Sequence, residues 1–187
     1  MKQTTFSRAE VIMAGIGGMG VLVAGRVLSG AAFRRYKSVS WVPSYQAAMR
    51  GGSCECTVIF SDEQIASPIL DQAQAVMVLD GSQFKAFEPR VRPGGVMIVE
   101  SAGLRDKPIR EDFKLLPVSG LEMAVSMGDS LINNLILLGV YVEVTKAITA
   151  ELIEEELNRR YGGREAVVQR NTEAFRRGLE LAKTVEE

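Results

Sequence analysis

At 187 residues, 47% hydrophobic and 24% charged, the sequence has the size and composition of one globular domain with a substantial core. A formal charge of −1 gives no overall attraction to nucleic acid or anionic membrane, and the uncharged stretch 11–25, broken by glycines, is short of the roughly 20 apolar residues that span a bilayer. The complete lack of histidine excludes a Ser-His or Cys-His nucleophile system, and two cysteines are too few thiolates for an iron–sulfur cluster.

The first ten residues carry Lys2, Arg8 and Glu10 and no apolar core of a signal peptide, which predicts a cytoplasmic chain. A short apolar strand is expected over 11–14, a buried run suited to a parallel sheet. It leads through Gly15-Ile16-Gly17-Gly18-Met19-Gly20 into a helix over about 19–33 that ends in the basic cluster Arg34, Arg35 and Lys37. Glycines between strand and helix let the backbone turn tightly and expose N–H groups to an anion. A dinucleotide site should add an Asp or Glu about 20 residues later to hold the ribose. No acidic residue occurs between Val11 and Cys54, where the charged residues are Arg26, Arg34, Arg35, Lys37 and Arg50. The turn therefore has two readings, a phosphate or pyrophosphate contact or a close strand–helix packing turn, and it argues against an ordinary NAD site.

A second strand is expected over 39–42, stopped by Pro43, then a loop or short helix over 44–53 and a strand over 54–60. Cys54 and Cys56 fall on one face of that strand, in poor geometry for a mutual disulfide, and read as reduced structural residues. Further strands are expected over 75–79 and 96–99, separated by a helix over 81–90 and the turn Arg92-Pro93-Gly94-Gly95. A charged connection over 101–116 ends in an extended piece, 113–116. Helices follow over 121–127, from an Asp129 N-cap to 144, from Thr149 to Gly162-Gly163, and over 164–183. Asn133 and Asn134, amid Leu131, Ile132, Leu135 and Ile136, suggest a buried hydrogen-bonding role, with at least one of the pair facing water. Glu151, Glu154, Glu155 and Glu156 read as a solvated face. These elements predict an α/β fold: one domain over 1–187, three-layer α/β/α and Rossmann-like, with a mostly parallel sheet and a helical C-terminal third.

Several ordered motifs resemble the gamma subunit of the 2-oxoacid:ferredoxin oxidoreductases, nearly end to end. Residues 15–20 match its Gly-x-Gly-Gly-Gln-Gly turn with Met19 in place of Gln. Residues 43–52 match its Pro-Ser-Tyr-Gly-Pro-Glu-x-Arg-Gly-Gly loop, with Gln46, Ala47 and Ala48 replacing Gly-Pro-Glu. Ile65-Ala66-Ser67-Pro68, Arg92-Pro93-Gly94-Gly95, Gly128-Asp129…Asn133-Asn134…Leu138-Gly139 and Asn171…Ala174-Phe175…Gly178 continue the likeness. The related indolepyruvate branch has a His-Gly-Met-x-Gln-Arg-Gly-Gly loop, which this chain lacks.

The resemblance implies a subunit without catalytic or metal-binding residues of its own, packed against alpha, beta and ferredoxin-like delta subunits. Thiamine diphosphate, Mg2+ and iron–sulfur clusters would sit in those partners, ferredoxin would accept the electrons, and this chain would have a part in admitting coenzyme A. The site residues it implies are Gly15, Gly17, Gly18, Gly20, Arg50, Gly51 and Gly52, with Arg50 able to grip a phosphate or a partner's carboxylate bidentately. An apolar subunit interface would make the isolated chain self-associate. The alternative is a free-standing nucleotide-binding protein or NADP-dependent dehydrogenase, in which Arg34, Arg35 and Lys37 would read a 2′-phosphate.

Overall fold

A computed structural model describes residues 7–45 and 52–185. In chain order it contains β1 (Arg8–Ile16), α1 (Val21–Ala32), β2 (Ser38–Tyr45), β3 (Ser53–Ser61), β4 (Ala73–Val78) and α2 (Phe84–Phe87), the last between two 3-10 turns. Then come β5 (Val91–Glu100), β6 (Lys114–Val118), α3 (Gly120–Ser126), α4 (Asn133–Thr145), α5 (Ala150–Tyr161) and α6 (Glu165–Val185). The strands form a six-stranded sheet in the order β2-β3-β1-β4-β5-β6. β1, β4, β5 and β6 are parallel, and β3 is antiparallel to both β1 and β2. Of the six, β3 is thus the reversed strand, in keeping with a mostly parallel sheet.

β1 is apolar throughout its middle because both its faces are covered. Val11 and Met13 look into a large core shared with α1, α4, α5 and α6, while Ile12 and Ala14 look into a smaller one closed by Phe84 and Phe87 of α2. The two helical layers are therefore unequal in depth. α4 is the hub of the thicker layer, every residue of its 133–142 stretch being buried. It crosses α6 with the two backbones in contact: a Cβ on Gly178 would run into the Ile136 carbonyl, and one on Gly139 into that of Phe175.

Several expected boundaries move for identifiable reasons. Pro43 does not stop the second strand but lies inside β2, opposite Cys56. β2 is an edge strand, where the N–H that proline lacks can belong to the open side. The turn at 92–95 sits inside β5, as an irregularity between the pairs Ala73↔Val91 and Ala75↔Val96, with Gly94 at φ 76. The helix expected over 81–90 is a succession of 3-10, α and 3-10 turns. Its start is held by the Asp80 carboxylate, which accepts from Ser82 N–H at 2.9 Å, and its end contains Pro89. Glu156 is not on a solvated face: it is fully buried against α1, in the space Gly30 leaves by lacking a side chain. Arg159 holds both its oxygens at 2.8 Å.

Gly178→Ala should destabilise the chain by about 3 kcal/mol, because the new methyl has only backbone to displace. Urea unfolding monitored by circular dichroism measures it, and a loss within experimental error would mean that the helices can separate at no cost.

Candidate functional site

The glycine turn follows β1 at the carboxyl end of the parallel strands, and each glycine answers a different demand. A Cβ on Gly15 would press at 3.0 Å on Val21 and 3.1 Å on Leu79. Gly18 and Gly20 have φ values of 102 and 78, conformations that side chains disfavour. Gly18 faces open space, whereas the Cβ position of Gly20 is occupied by the side-chain amide of Asn134. Met19 N–H donates to Ile16 O at 3.1 Å, and the N–H groups of Val23 and Ala24 both reach Gly20 O at 3.0 Å. The turn thus hands the chain into α1, whose first amides have no intrahelical carbonyl to meet and whose first turn carries no acid.

Gly17 N–H donates to Gly52 O at 2.9 Å, so the structure brings Gly15, Gly17, Gly18, Gly20 and Gly52 together. That bond commits one amide of the expected anion cradle to the loop beside it. Arg50 and Gly51 lie outside the described residues. β1 and β4 are neighbours, with Leu79 N–H on Ala14 O at 2.8 Å. Their continuations leave for opposite faces, β1 into α1 and β4 into α2. A crevice at such a divergence is where open α/β sheets place ligands.

The strand order separates this site from a dinucleotide fold. There, the acid that holds the ribose ends the strand beside β1. Here the reversed β3 occupies that place, and β2 lies two strand spacings from β1, roughly 10 Å away. Two of the three cations after α1 are engaged elsewhere: Arg34 pairs with Glu155 at 2.7 Å and Arg35 with Asp62 at 2.9 Å. Arg26 lies 4.7 Å over the ring of Trp41, which is half-buried against the main core.

Two polar groups beneath the crest matter more than their sequence context indicates. Asn133 and Asn134 are 6% and 4% exposed, so neither faces water. Asn134 Nδ2 donates to Gly20 O at 3.0 Å, and Asn133 Nδ2 to Glu100 Oε2 at 3.2 Å. Glu100 was not singled out from the sequence, yet it is 2% exposed and accepts Leu121 N–H at 2.8 Å and Ala102 N–H at 3.0 Å. The available signal was a carboxylate closing the apolar strand 96–99 just before Ser101-Ala102-Gly103. It joins the end of β5 to the starts of α3 and α4. At the opposite end of the sheet, a cavity of about 490 Å³ is lined by Glu10, Arg92, Lys114 and Tyr141. Its buried Glu10 is held by Arg8 at 3.2 Å and Arg92 at 2.5 Å. Among the described residues no group of three or more acidic, cysteine or histidine side chains could hold a metal ion, and no helix is long and apolar enough to cross a membrane.

An open α/β sheet whose crest carries a glycine turn bonded to Gly52, with a reversed strand beside β1, is an α/β module and not a dinucleotide reader. Residues 10–181 match the family described as pyruvate ferredoxin/flavodoxin oxidoreductase, and the chain belongs to that family. It is similar to the ketoisovalerate oxidoreductase subunit VorA of Methanothermobacter marburgensis, 27% identical over 179 residues, covering 95% of this chain and 37% of that protein. The chain therefore spans little more than a third of the length of that relative. It also resembles the gamma subunit of the keto/oxoacid ferredoxin oxidoreductase of Geobacter sulfurreducens, with a TM-score of 0.83 at 26% identity, covering 96% of this chain and 99% of that one. The 2-oxoglutarate:ferredoxin oxidoreductase from Magnetococcus marinus, solved with 2-oxoglutarate, coenzyme A and succinyl-CoA bound, superposes with a TM-score of 0.87. That match covers 96% of this chain and 32% of the other at 23% identity, a likeness of fold.

Both cysteines are free and buried beneath α1. Burial pushes the Cys56 thiol up to about 12, an effect the nearby Trp41 indole partly offsets. The folded chain thus keeps a proton that the unfolded chain releases near 9, so stability falls as pH climbs from 9 towards 12. At pH 8 a thiol reagent should leave Cys56 unmodified in the native protein and label both cysteines after denaturation. Rapid native labelling of Cys56 would contradict its enclosure.

Proposed function

We propose that this chain is the gamma subunit of a thiamine-diphosphate-dependent 2-oxoacid:ferredoxin oxidoreductase. The observation that carries this reading is the family match over 10–181, together with a gamma subunit that the chain matches in fold over 99% of its length. The assembled complex converts a 2-oxoacid, coenzyme A and oxidised ferredoxin to acyl-CoA, CO2 and reduced ferredoxin. Alpha, beta and delta partners hold the thiamine diphosphate, Mg2+ and iron–sulfur clusters. The whole chain acts as one accessory domain of that cytoplasmic complex, beside the active site.

Within it, Gly15, Gly17, Gly18 and Gly20 line the approach of the anionic part of coenzyme A, and Arg50, Gly51 and Gly52 complete the set of residues that contact it. The Gly17–Gly52 hydrogen bond supports this grouping by tying the start of β3 to the turn. The reversed strand between β1 and β2 favours this reading over a free-standing NADP-dependent enzyme.

A mild affinity pull-down from native extract should recover partner subunits together with coenzyme A-dependent reduction of a viologen dye by pyruvate, 2-oxoglutarate or 2-oxoisovalerate. A partnerless chain that binds NADPH tightly would sink the proposal. In the assembled complex, Arg50→Gln should raise KM for coenzyme A about tenfold, the loss of one charge-assisted contact, and leave KM for the 2-oxoacid unchanged.

A further inference from the structure

We propose that Asn134 is a positioning residue for the glycine turn, holding it at the angle from which its amides meet the anionic part of coenzyme A. The inference rests on the coenzyme A reading above and extends it to a residue far away in the chain. Three observations carry it. Asn134 Nδ2 donates to Gly20 O at 3.0 Å, across 114 positions of sequence. Gly20 O also accepts from Val23 and Ala24, so this carbonyl orients the first turn of α1. Gly20 sits at φ 78 and ψ 20 with the Asn134 amide filling the place of its missing side chain, so turn and amide are fitted to one another.

The residue next to it explains why the bond can be directional. Asn133 is anchored to Glu100, which in turn holds Ala102 and Leu121 N–H, so the first turn of α4 is fixed at a second point. With α4 immobile in the core, the Asn134 amide acts as a stop against which the turn rests. Its removal would leave Gly20 O held by the Val23 and Ala24 N–H groups alone, at torsions that no side chain restrains. The first amides of α1 would then meet a bound phosphate with a spread of orientations, and a positional error of this kind weakens binding without touching the chemistry.

The test uses the assembled complex carrying Asn134→Leu, which keeps the volume and deletes the donor, and Asn134→Asp. Asn134→Leu should raise KM for coenzyme A about tenfold, the worth of one buried hydrogen bond, with kcat and KM for the 2-oxoacid unchanged. In Asn134→Asp, KM for coenzyme A should fall as the assay pH is lowered, because a protonated carboxyl regains a donor for Gly20 O while the carboxylate has none. This pH profile is a signature that a purely structural defect would not produce, and it serves even where the leucine variant fails to assemble. Equal rises in both KM values, or a lowered melting temperature with both unchanged, would overturn the inference. If Arg50→Gln raises KM for coenzyme A and neither Asn134 variant does, the positioning role fails while the site reading stands. If none of the three changes it, the site reading fails as well.

Discussion

Two helices that touch backbone to backbone, α4 at Gly139 and α6 at Gly178, set the depth of everything built on the thicker side of the sheet. Because no side chain stands between them, α6 lies close enough to seal α4, and α4 can be apolar around its whole circumference. A helix buried on every side cannot present a polar face to water, so its few polar groups must find partners within the protein. The Nδ2 groups of Asn133 and Asn134 do so at its first turn, one toward the end of β5 and the other toward the glycine turn after β1, while Asn133 Oδ1 is buried without a hydrogen-bond partner among the described residues. The crest of the sheet is thereby referenced to the most deeply seated element of the fold.

The glycines of the turn differ in what the packing around them demands. Gly15 yields to Val21 and Leu79, and Gly20 yields to Asn134, both for reasons internal to the protein. Gly18, with open space above it and a φ that side chains resist, is the position whose freedom is not consumed by packing. The packing reading is therefore met at Gly15 and Gly20, and not at Gly18. The amide of Gly17 belongs to Gly52, and Gly17 and Gly18 are the exposed residues of the turn.

What could be read from the sequence followed the range of the forces involved. Apolar runs, glycine and proline punctuation and the Asp129 cap are local, and β1, α1, α3, α4, α5 and α6 lie close to where those signals place them. Strand direction is not local. Nothing in the apolar run from Cys54 shows that it runs against its neighbours, since that depends on how the residues before it turn the chain. Pro43 misleads for the same reason, because its cost depends on β2 lying at the sheet edge. The burial of Glu156 depends on Gly30, and the role of Asn134 on Gly20, each a match between residues more than a hundred positions apart. The glycines of the turn were legible as a group; Glu100, which joins the end of β5 to the starts of α3 and α4, was not.

The seal that α6 forms over α4 also orders events at birth. α4 leaves the ribosome well before α6, and during an interval on the order of seconds at ordinary translation rates its outer apolar surface has no cover. The growing chain is therefore at its most adhesive in the interval between α4 and α6, when all six strands already exist. Its solubility as a nascent chain depends on a helix that has not yet been made.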